Sequence, residues 1–226
     1  MRMETGWVPV ALSSTLEPGT STGAIVVGRE IVVWRDSSGA AHVWEDRCPH
    51  RGMRMSFGFV RGDHIACLYH GWQYDAAGQC RYIPAHPDLE VPKTIKVPTY
   101  LSEERHGIVW TTLSSEATCP EIPGVAEVTP VRSIYINASL ERVFLVLEHY
   151  GAEFSMTGRS TGILFTGGDR LLIAFQVVSA EKTALHIVIL GAPSDNAGPK
   201  QKQYAQWAQA LRLRLESPVP VEAEVA

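Results

Sequence analysis

Two short stretches, Cys48-Pro49-His50 and Cys67-Leu68-Tyr69-His70, each place a cysteine close to a histidine. Sixteen residues separate the two stretches. Pro49 and Gly52 bend the first stretch, and Gly71 follows the last histidine of the second, so both are expected to be turns. Thiolates and neutral imidazoles are metal ligands, and the pattern therefore predicts one metal site built by two loops.

A two-iron centre fits this pattern. Cys48 and Cys67 would bind one iron as thiolates, and His50 and His70 would bind the other as neutral imidazoles. In a Rieske [2Fe-2S] centre, histidines replace two cysteines in this way and raise the reduction potential. A tetrahedral Cys2His2 zinc site is one alternative, although structural zinc sites usually pair cysteine with cysteine and histidine with histidine. A Cys48–Cys67 disulfide is another, but it would leave both histidines unexplained.

The sequence around these residues resembles the two cluster loops of Rieske non-haem iron oxygenases. The resemblance includes 48–52 and 67–75, extends through 44–47 and 83–85, and covers roughly residues 6–113. Oxygenases similar to vanillate O-demethylase are the subgroup that it indicates. The resemblance implies a [2Fe-2S] cofactor held by Cys48, His50, Cys67 and His70, with further cofactor-binding positions at Arg51, Gly52, Tyr69, Gly71 and Trp72.

Rieske proteins of respiratory complexes differ from this sequence at two features. They carry an extra cysteine in each loop, which these loops lack, and a serine at the position of Trp72. A hydroxyl aimed at the cluster stabilises its reduced form, so the comparison implies a potential at the low end of the Rieske range. Trp72 would instead shield the cluster, or simply pack in the core as most tryptophans do.

Composition limits the remaining functions. The chain has 226 residues, of which 45% are hydrophobic and 19% charged, enough for one or two globular domains. A net charge of −4 argues against a nucleic-acid or acidic-membrane partner. The N-terminus shows no apolar signal region and no apolar run approaches a membrane span, so a cytoplasmic, reducing location is expected. Cys80 and Cys119 are interpreted as free thiols rather than a bridge.

Hydrophobic patterns predict an α+β chain with an all-β first half. Short strands separated by turns are predicted from Trp7 to residue 113, including a hairpin around Gly28-Arg29. Residues 114–130 are predicted to be a linker because serine, proline and glycine break the pattern. In terms of domains, we expect a Rieske [2Fe-2S] domain at 1–113, the linker at 114–130, a truncated helix-grip-like domain at 131–216 and a disordered tail at 217–226.

The second half is predicted to be an antiparallel sheet with two helices. A strand is expected over Val131–Ala138, and a helix follows Ser139, the candidate N-cap. Three further strand-like runs precede a helix near Pro199–Glu216. This order resembles a shortened helix-grip catalytic domain of the same oxygenases.

That resemblance makes the absence of iron ligands informative. Catalytic domains of the family hold a mononuclear iron through two histidines and a carboxylate, in a segment that reads roughly Glu-Asn-x-x-Asp-x-x-His-x-x-x-x-His. Aligned from Glu148, this chain has Ala152 at the aspartate position and Ser155 and Ser160 at the histidine positions. Serine hydroxyls do not replace imidazoles on iron(II), so no mononuclear iron and no complete active site are expected in this chain alone.

Three functions follow from these patterns. The favoured one is the electron-transferring Rieske subunit of a hetero-oligomeric oxygenase, which takes electrons from a reductase or ferredoxin and passes them to a homologous catalytic subunit. The alternatives are a free-standing ferredoxin-like carrier and a complete oxygenase with an atypical iron site, for example one that uses Glu148, His149 and Glu153, or His149 and His186. A count of iron atoms per chain distinguishes the last from the other two.

Overall fold

The computed structural model describes residues 6–114, 127–149 and 153–217. The chain divides into two compact units. The first contains residues 6–105 and 109–114, and the second contains 106–108, 127–149 and 153–217. Most of the predicted linker, nearly all of the predicted tail, Ala152 and Cys119 lie outside the described residues.

The first unit consists of ten strands in two antiparallel sheets. The strands are β1 (Trp7–Leu12), β2 (Ser21–Val26), β3 (Arg29–Arg35), β4 (Ala41–Glu45), β5 (Phe59–Arg61), β6 (His64–Ala66), β7 (Gln73–Asp75), β8 (Cys80–Tyr82), β9 (Thr99–Arg105) and β10 (Ile108–Thr112). The larger sheet has the order β1-β10-β9-β4-β3-β2, and the smaller has the order β5-β6-β7-β8. The predicted hairpin is confirmed: β2 pairs with β3 across a two-residue turn at Val27 and Gly28.

Sequence patterns missed the smaller sheet. Each of its strands is only three residues long, which is too short for an alternating pattern to be distinguished from a turn. Its core is nevertheless well buried, with Ile65, Tyr74 and Cys80 each at most 1% exposed. This small sheet carries the second of the two cysteine–histidine stretches between β6 and β7.

The second unit is a five-stranded antiparallel sheet with two helices. Its elements are β11 (Val128–Ile136), α1 (Leu140–Glu148), β12 (Phe154–Met156), β13 (Thr161–Thr166), β14 (Asp169–Ser179), β15 (Lys182–Leu190) and α2 (Ala197–Glu216), and the sheet order is β11-β15-β14-β13-β12. Strand β11 begins three residues before the predicted strand, inside the segment that was expected to be linker. With this unit, the predicted α+β class is confirmed.

Both helices are fixed by features that the sequence shows. Ser139 Oγ accepts a hydrogen bond from the Arg142 backbone N–H at 3.3 Å, which caps α1 as predicted. Helix α2 buries one face, made by Tyr204, Ala208, Leu211 and Leu215. No helix in the described part of the chain is long and apolar enough to cross a membrane.

A buried carboxylate ties α2 to the turn between β13 and β14. Asp169 accepts hydrogen bonds from the Tyr204 hydroxyl at 2.5 Å and from the Ser194 backbone N–H at 2.6 Å, and it pairs with Lys200 at 3.1 Å. Burial alone would raise the pKa of Asp169, but these donors outweigh it and hold the pKa below its usual value. The cluster therefore has a structural role, since every polar group in it already has a partner.

His186 is a core histidine, as its position on an apolar strand predicts. Its Nδ1 lies 2.7 Å from Ser133 Oγ, and its Nε2 lies 2.9 Å from Gln176 Oε1. Both nitrogens are satisfied by a neutral ring, in which Nδ1 accepts a hydrogen bond from the Ser133 hydroxyl and Nε2–H donates one to the Gln176 amide oxygen. Complete burial lowers the pKa of His186 to about 4, so the ring stays neutral in the folded protein at pH 7.

This buried ring predicts a loss of stability in mild acid. Between pH 6.5 and about 4 the unfolded chain binds a proton at His186 that the folded chain does not bind, so the free energy of unfolding falls as pH falls. The full effect of a shift from 6.5 to about 4 is about 3 kcal/mol. Urea denaturation followed by circular dichroism at pH 7, 6, 5 and 4.5 measures this slope.

His186→Gln removes the titrating group and is expected to flatten the slope, whatever its effect on absolute stability at pH 7. His149→Gln is the matched control, because His149 is exposed in the same unit and is expected to leave the slope unchanged. Equal slopes in the parent chain and in His186→Gln would show that His186 is not the responsible group.

Candidate metal centre

The two cysteine–histidine loops connect strands of the first unit. The first loop follows β4 and leads through a short 3-10 turn, Met55–Phe57, into β5. The second loop joins β6 to β7. Asp46 stabilises the first connection, because its carboxylate accepts hydrogen bonds from the backbone N–H of Ser56 at 2.7 Å and from the Ser56 hydroxyl at 2.6 Å.

The two loops share one backbone design. In the first, Cys48 N–H donates to Met53 O and Gly52 N–H donates to Cys48 O, both at 2.8 Å. In the second, Cys67 N–H donates to Trp72 O and Gly71 N–H donates to Cys67 O, both at 2.9 Å. Each loop thus closes on itself with the cysteine at its base and its histidine near the apex.

Glycine is required at the fourth position after each cysteine. Gly52 has φ +73° and Gly71 has φ +68°, a left-handed conformation that residues with a Cβ adopt only with strain. Space is also limited, because a Cβ at Gly52 would lie 3.3 Å from Arg47 Nε and one at Gly71 would lie 3.1 Å from Pro84 Cγ. These two predicted positions therefore shape the loops through their backbone.

The cysteines and histidines differ in exposure. Cys48 and Cys67 are 2% and 3% exposed and belong to the core beneath the loops. His50 is half-buried and His70 is exposed, and their ring centroids are 4.6 Å apart. The structure therefore brings the two cysteines together in the core and the two histidines together nearer the surface.

Aromatic rings cover both histidines. Trp72 stacks on His50 with a centroid distance of 4.2 Å and an interplanar angle of 5°, and it also packs against the buried core. Tyr69 lies over His70 at 3.9 Å and is itself 59% exposed. Trp72 thus packs in the core, one of the two roles considered from sequence, and also contacts His50, whereas Tyr69 is the more exposed ring.

Hydrogen bonds converge on the two sulfurs. The pKa of Cys48 is lowered to about 5, first because the Cys67 thiol donates to it and further because the Tyr74 hydroxyl and the N–H groups of His50 and Arg51 donate. Donation to Cys48 and burial raise the pKa of Cys67, although the N–H groups of Tyr69 and His70 act in the opposite direction. The hydrogen bond between the two sulfurs therefore favours the thiolate form of Cys48 and keeps the proton on Cys67.

Tyr74 is the functional residue that the sequence analysis missed. Its hydroxyl lies 3.2 Å from Cys48 Sγ, and its ring is fully buried. Burial and the hydrogen bond to Cys48 both raise the pKa of Tyr74, so it remains a donor. Tyr74 lies on β7, and no local pattern of the sequence shows its contact with Cys48. Tyr74 therefore supplies a hydroxyl at Cys48 although Trp72 occupies the position of the serine of respiratory Rieske proteins.

The donor set fits a [2Fe-2S] cluster better than the alternatives. Both cysteines are free thiols, which argues against a disulfide. A tetrahedral zinc site would have to draw all four side chains to a single ion. A Rieske cluster needs only two protein ligands per iron, and N–H donors at the sulfurs are part of its usual surroundings.

The second unit does not assemble an equivalent site from its described residues. Ser155 lies on the edge strand β12, opposite Ile163, and Ser160 is buried in the following turn. Helix α1 ends at Glu148, so Glu153 is not on the same helix. His149 Nδ1 bonds the Leu145 carbonyl oxygen at 2.7 Å, and both nitrogens of His186 are already occupied, so the two histidines do not form a pair.

Comparison with known proteins defines the class. Residues 6–100 match the Rieske [2Fe-2S] domain family. The first unit is therefore a Rieske domain, and a [2Fe-2S] cluster is the cofactor that this family implies. About half of the chain is homologous to Rieske non-haem iron oxygenases, and the predicted family resemblance is confirmed.

Two relatives from Pseudomonas putida match different shares of this chain. The oxidoreductase NdmD is 31% identical over 93% of this chain, and methylxanthine N1-demethylase NdmA is 39% identical over 52% of it. The chain spans only 40% of NdmD and 34% of NdmA in these alignments. The solved structure of NdmA has a TM-score of 0.76 at 20% identity, covering 99% of this chain and 85% of that one, which shows a shared fold.

The Tyr74 hydrogen bond predicts a shift in reduction potential. Reduction adds negative charge to the cluster, and a hydroxyl that donates to a coordinating sulfur stabilises that charge. Tyr74→Phe is therefore expected to lower the potential by on the order of 50 mV, the equivalent of one hydrogen bond of about 1 kcal/mol in a one-electron couple. Protein-film voltammetry measures the difference.

Tyr100→Phe is the matched control, because the Tyr100 hydroxyl contacts Arg29 at the surface of the same unit. Its potential should equal that of the parent chain. An unchanged potential in Tyr74→Phe, with an intact cluster spectrum, would contradict a tuning role for this hydroxyl.

Proposed function

We propose that this chain is an electron-transferring Rieske component of an oxygenase system. Cys48 and Cys67 hold the inner iron of the cluster, and His50 and His70 hold the outer iron. The observation that carries the proposal is the pair of matching loops, which buries both thiols and turns both imidazoles toward solvent. When bound, the cluster supplies one-electron transfer at a potential raised by its histidine ligands.

The residues of the chain have distinct parts in this function. Backbone N–H groups of both loops and the Tyr74 hydroxyl stabilise charge at the sulfurs. Trp72 restricts water at His50 by stacking on it. His70 and Tyr69 form the exposed side of the site, where a partner protein approaches most closely.

We further propose that the electrons pass from a reductase or ferredoxin to mononuclear iron in a separate, homologous catalytic subunit. The sequence similarity to NdmD, which is named an oxidoreductase, extends through both units of this chain. The similarity to the demethylase NdmA covers about half of it in sequence. This difference in coverage favours electron delivery over complete catalysis in one chain.

A complete oxygenase with an atypical iron site is the second candidate. It is favoured by one observation, the fold shared with NdmA over 99% of this chain. Its iron ligands would have to include residues outside the described ranges, because the described residues of the second unit do not supply a ligand set. The two candidates differ in metal content and are separated by the second experiment below.

Histidine ligation predicts a distinctive spectrum. The reduced protein is expected to show a Rieske-type EPR signal with a low average g, because imidazole ligands to one iron lower it relative to all-cysteine clusters. His50→Cys and His70→Ala should each abolish this signal. His86→Ala, at an exposed loop position of the same unit, should retain it. A colourless protein that binds zinc would refute the cluster assignment.

Metal analysis separates electron delivery from complete catalysis. The proposal predicts two irons per chain and no substrate turnover by the isolated protein, with turnover appearing only after a catalytic subunit is added. Iron content is measured by colorimetric assay against protein concentration determined by amino-acid analysis. Three irons per chain, together with hydroxylation or demethylation by the chain alone, would instead establish the complete oxygenase.

A further inference from the structure

We propose that a cationic and aromatic surface beside the second cluster loop is the docking site for an acidic electron-donor protein. This surface, called here the arginine–aromatic face, consists of Arg54, Phe57, Phe59 and Arg61, with Leu68 and Tyr69 at its border. The inference rests on the proposed function, because it names the kind of partner that delivers electrons to the cluster.

Backbone packing places this face next to the cluster loop. A Cβ at Gly58 would lie 2.6 Å from the Ala66 carbonyl oxygen, so Gly58 sits directly against the residue that precedes Cys67. Phe59 is the antiparallel partner of Ala66 in the small sheet. Such partners have Cα atoms about 5 Å apart, and the two phenylalanines that flank Gly58 therefore lie beside the base of the second loop.

The apolar side chains of the face are unusually exposed. Phe57 is 57% exposed, Phe59 is 50% exposed and Leu68 is 48% exposed. Single exposed apolar residues are common on soluble proteins, but a group of them next to a redox site indicates an interaction surface. Because Tyr69 is also exposed and lies over His70, a partner bound here would be close to an iron ligand.

Arginines extend over the phenylalanine rings. The Arg54 guanidinium lies 6.0 Å from the Phe57 ring centroid, and that of Arg61 lies 5.7 Å from the Phe59 ring centroid. Arg54 also forms an ion pair with Glu30, while Arg61 hydrogen-bonds the Val60 carbonyl oxygen. Arginine and aromatic residues are enriched in protein–protein interfaces, whereas lysine and acidic residues are depleted.

The charge of the chain is strongly uneven around this face. Residues 47–61 contain four arginines and no acidic residue, and all four arginines are exposed. The rest of the chain contains 16 lysines and arginines against 24 acidic residues. Even with Glu30 paired to Arg54 and the exposed Asp63 two residues after Arg61, this side therefore carries more guanidinium groups than carboxylates, and association is governed by the local field at the contact. This polarity selects a partner with a negative surface around its own redox centre.

The same chemistry favours a transient donor over a permanent subunit. Permanent interfaces are large and mostly apolar, whereas charge-steered electron-transfer complexes are small and dissociate quickly. Here a few aromatic side chains are bordered by exposed guanidinium groups. Such a surface accelerates encounter with an acidic protein at low salt and releases it as ions screen the attraction.

Stopped-flow reduction tests the inference with a defined probe. A pre-reduced, acidic plant-type [2Fe-2S] ferredoxin is mixed with the oxidised, cluster-loaded chain, and the rate constant is measured over a range of ionic strength. The rate should fall as salt rises. In Arg54→Gln/Arg61→Gln the rate at low salt should be about tenfold lower, with a shallower salt dependence. Phe59→Ala should lower the rate while keeping the salt dependence.

Lys93→Gln/Lys96→Gln is the matched control. It also removes two exposed positive charges from the first unit, but these lysines line a separate cavity together with Ala77 and Gln79. Its rate should stay within about twofold of the parent rate. An equal loss in both double variants, a parent rate that does not fall with salt, or a stable salt-resistant complex on size exclusion would each overturn the inference.

The cluster is checked separately by EPR and by reduction with dithionite. Both double variants and Phe59→Ala should match the parent chain in these measurements, because none of the substituted residues is a proposed ligand. A parent chain with no Rieske signal would contradict the proposed function itself, whereas an intact signal with charge-independent reduction would contradict only the docking site.

Discussion

The cluster site depends on one constraint, the self-closing turn that each cysteine forms. The N–H of the cysteine bonds the carbonyl five residues ahead, and its own carbonyl accepts the N–H of the glycine four residues ahead. Only glycine enters the left-handed conformation at that position without strain. This turn also directs backbone N–H groups at the sulfur of its cysteine. They are those of His50 and Arg51 in the first loop and of Tyr69 and His70 in the second. Loop shape and sulfur electrostatics thus have a common cause.

The histidine positions differ between the loops although the turns match. The ligand is two residues after the cysteine in the first loop and three residues after it in the second. Both rings still reach the same side of the site, with centroids 4.6 Å apart. The aromatic rings that cover them differ as well. Trp72 stacks on His50 and also packs in the core, whereas Tyr69 lies over His70 and is itself 59% exposed. The site consequently has one protected imidazole and one accessible imidazole.

Local patterns in the sequence predicted the features that depend on local chemistry. The ligand pairs, the turn glycines, the Ser139 cap and the buried face of α2 are all encoded within a few residues of chain. The small sheet was missed because each of its strands is only three residues long, too short for an alternating pattern to be recognised. Tyr74 was missed for a different reason. Its role depends on contact with Cys48, 26 residues earlier, which only the folded structure brings within hydrogen-bonding distance.

The two units also differ in how their structure relates to a metal site. The proposed cluster ligands come from two self-closing turns, and each turn is held by its own hydrogen bonds. In the second unit, α1 ends at Glu148, before the positions aligned with histidine. The core of the second unit is formed by sheet residues and the two helix faces, none of which is a metal ligand. The packing of that unit therefore does not depend on a metal ion, which is compatible with the proposed role in electron delivery.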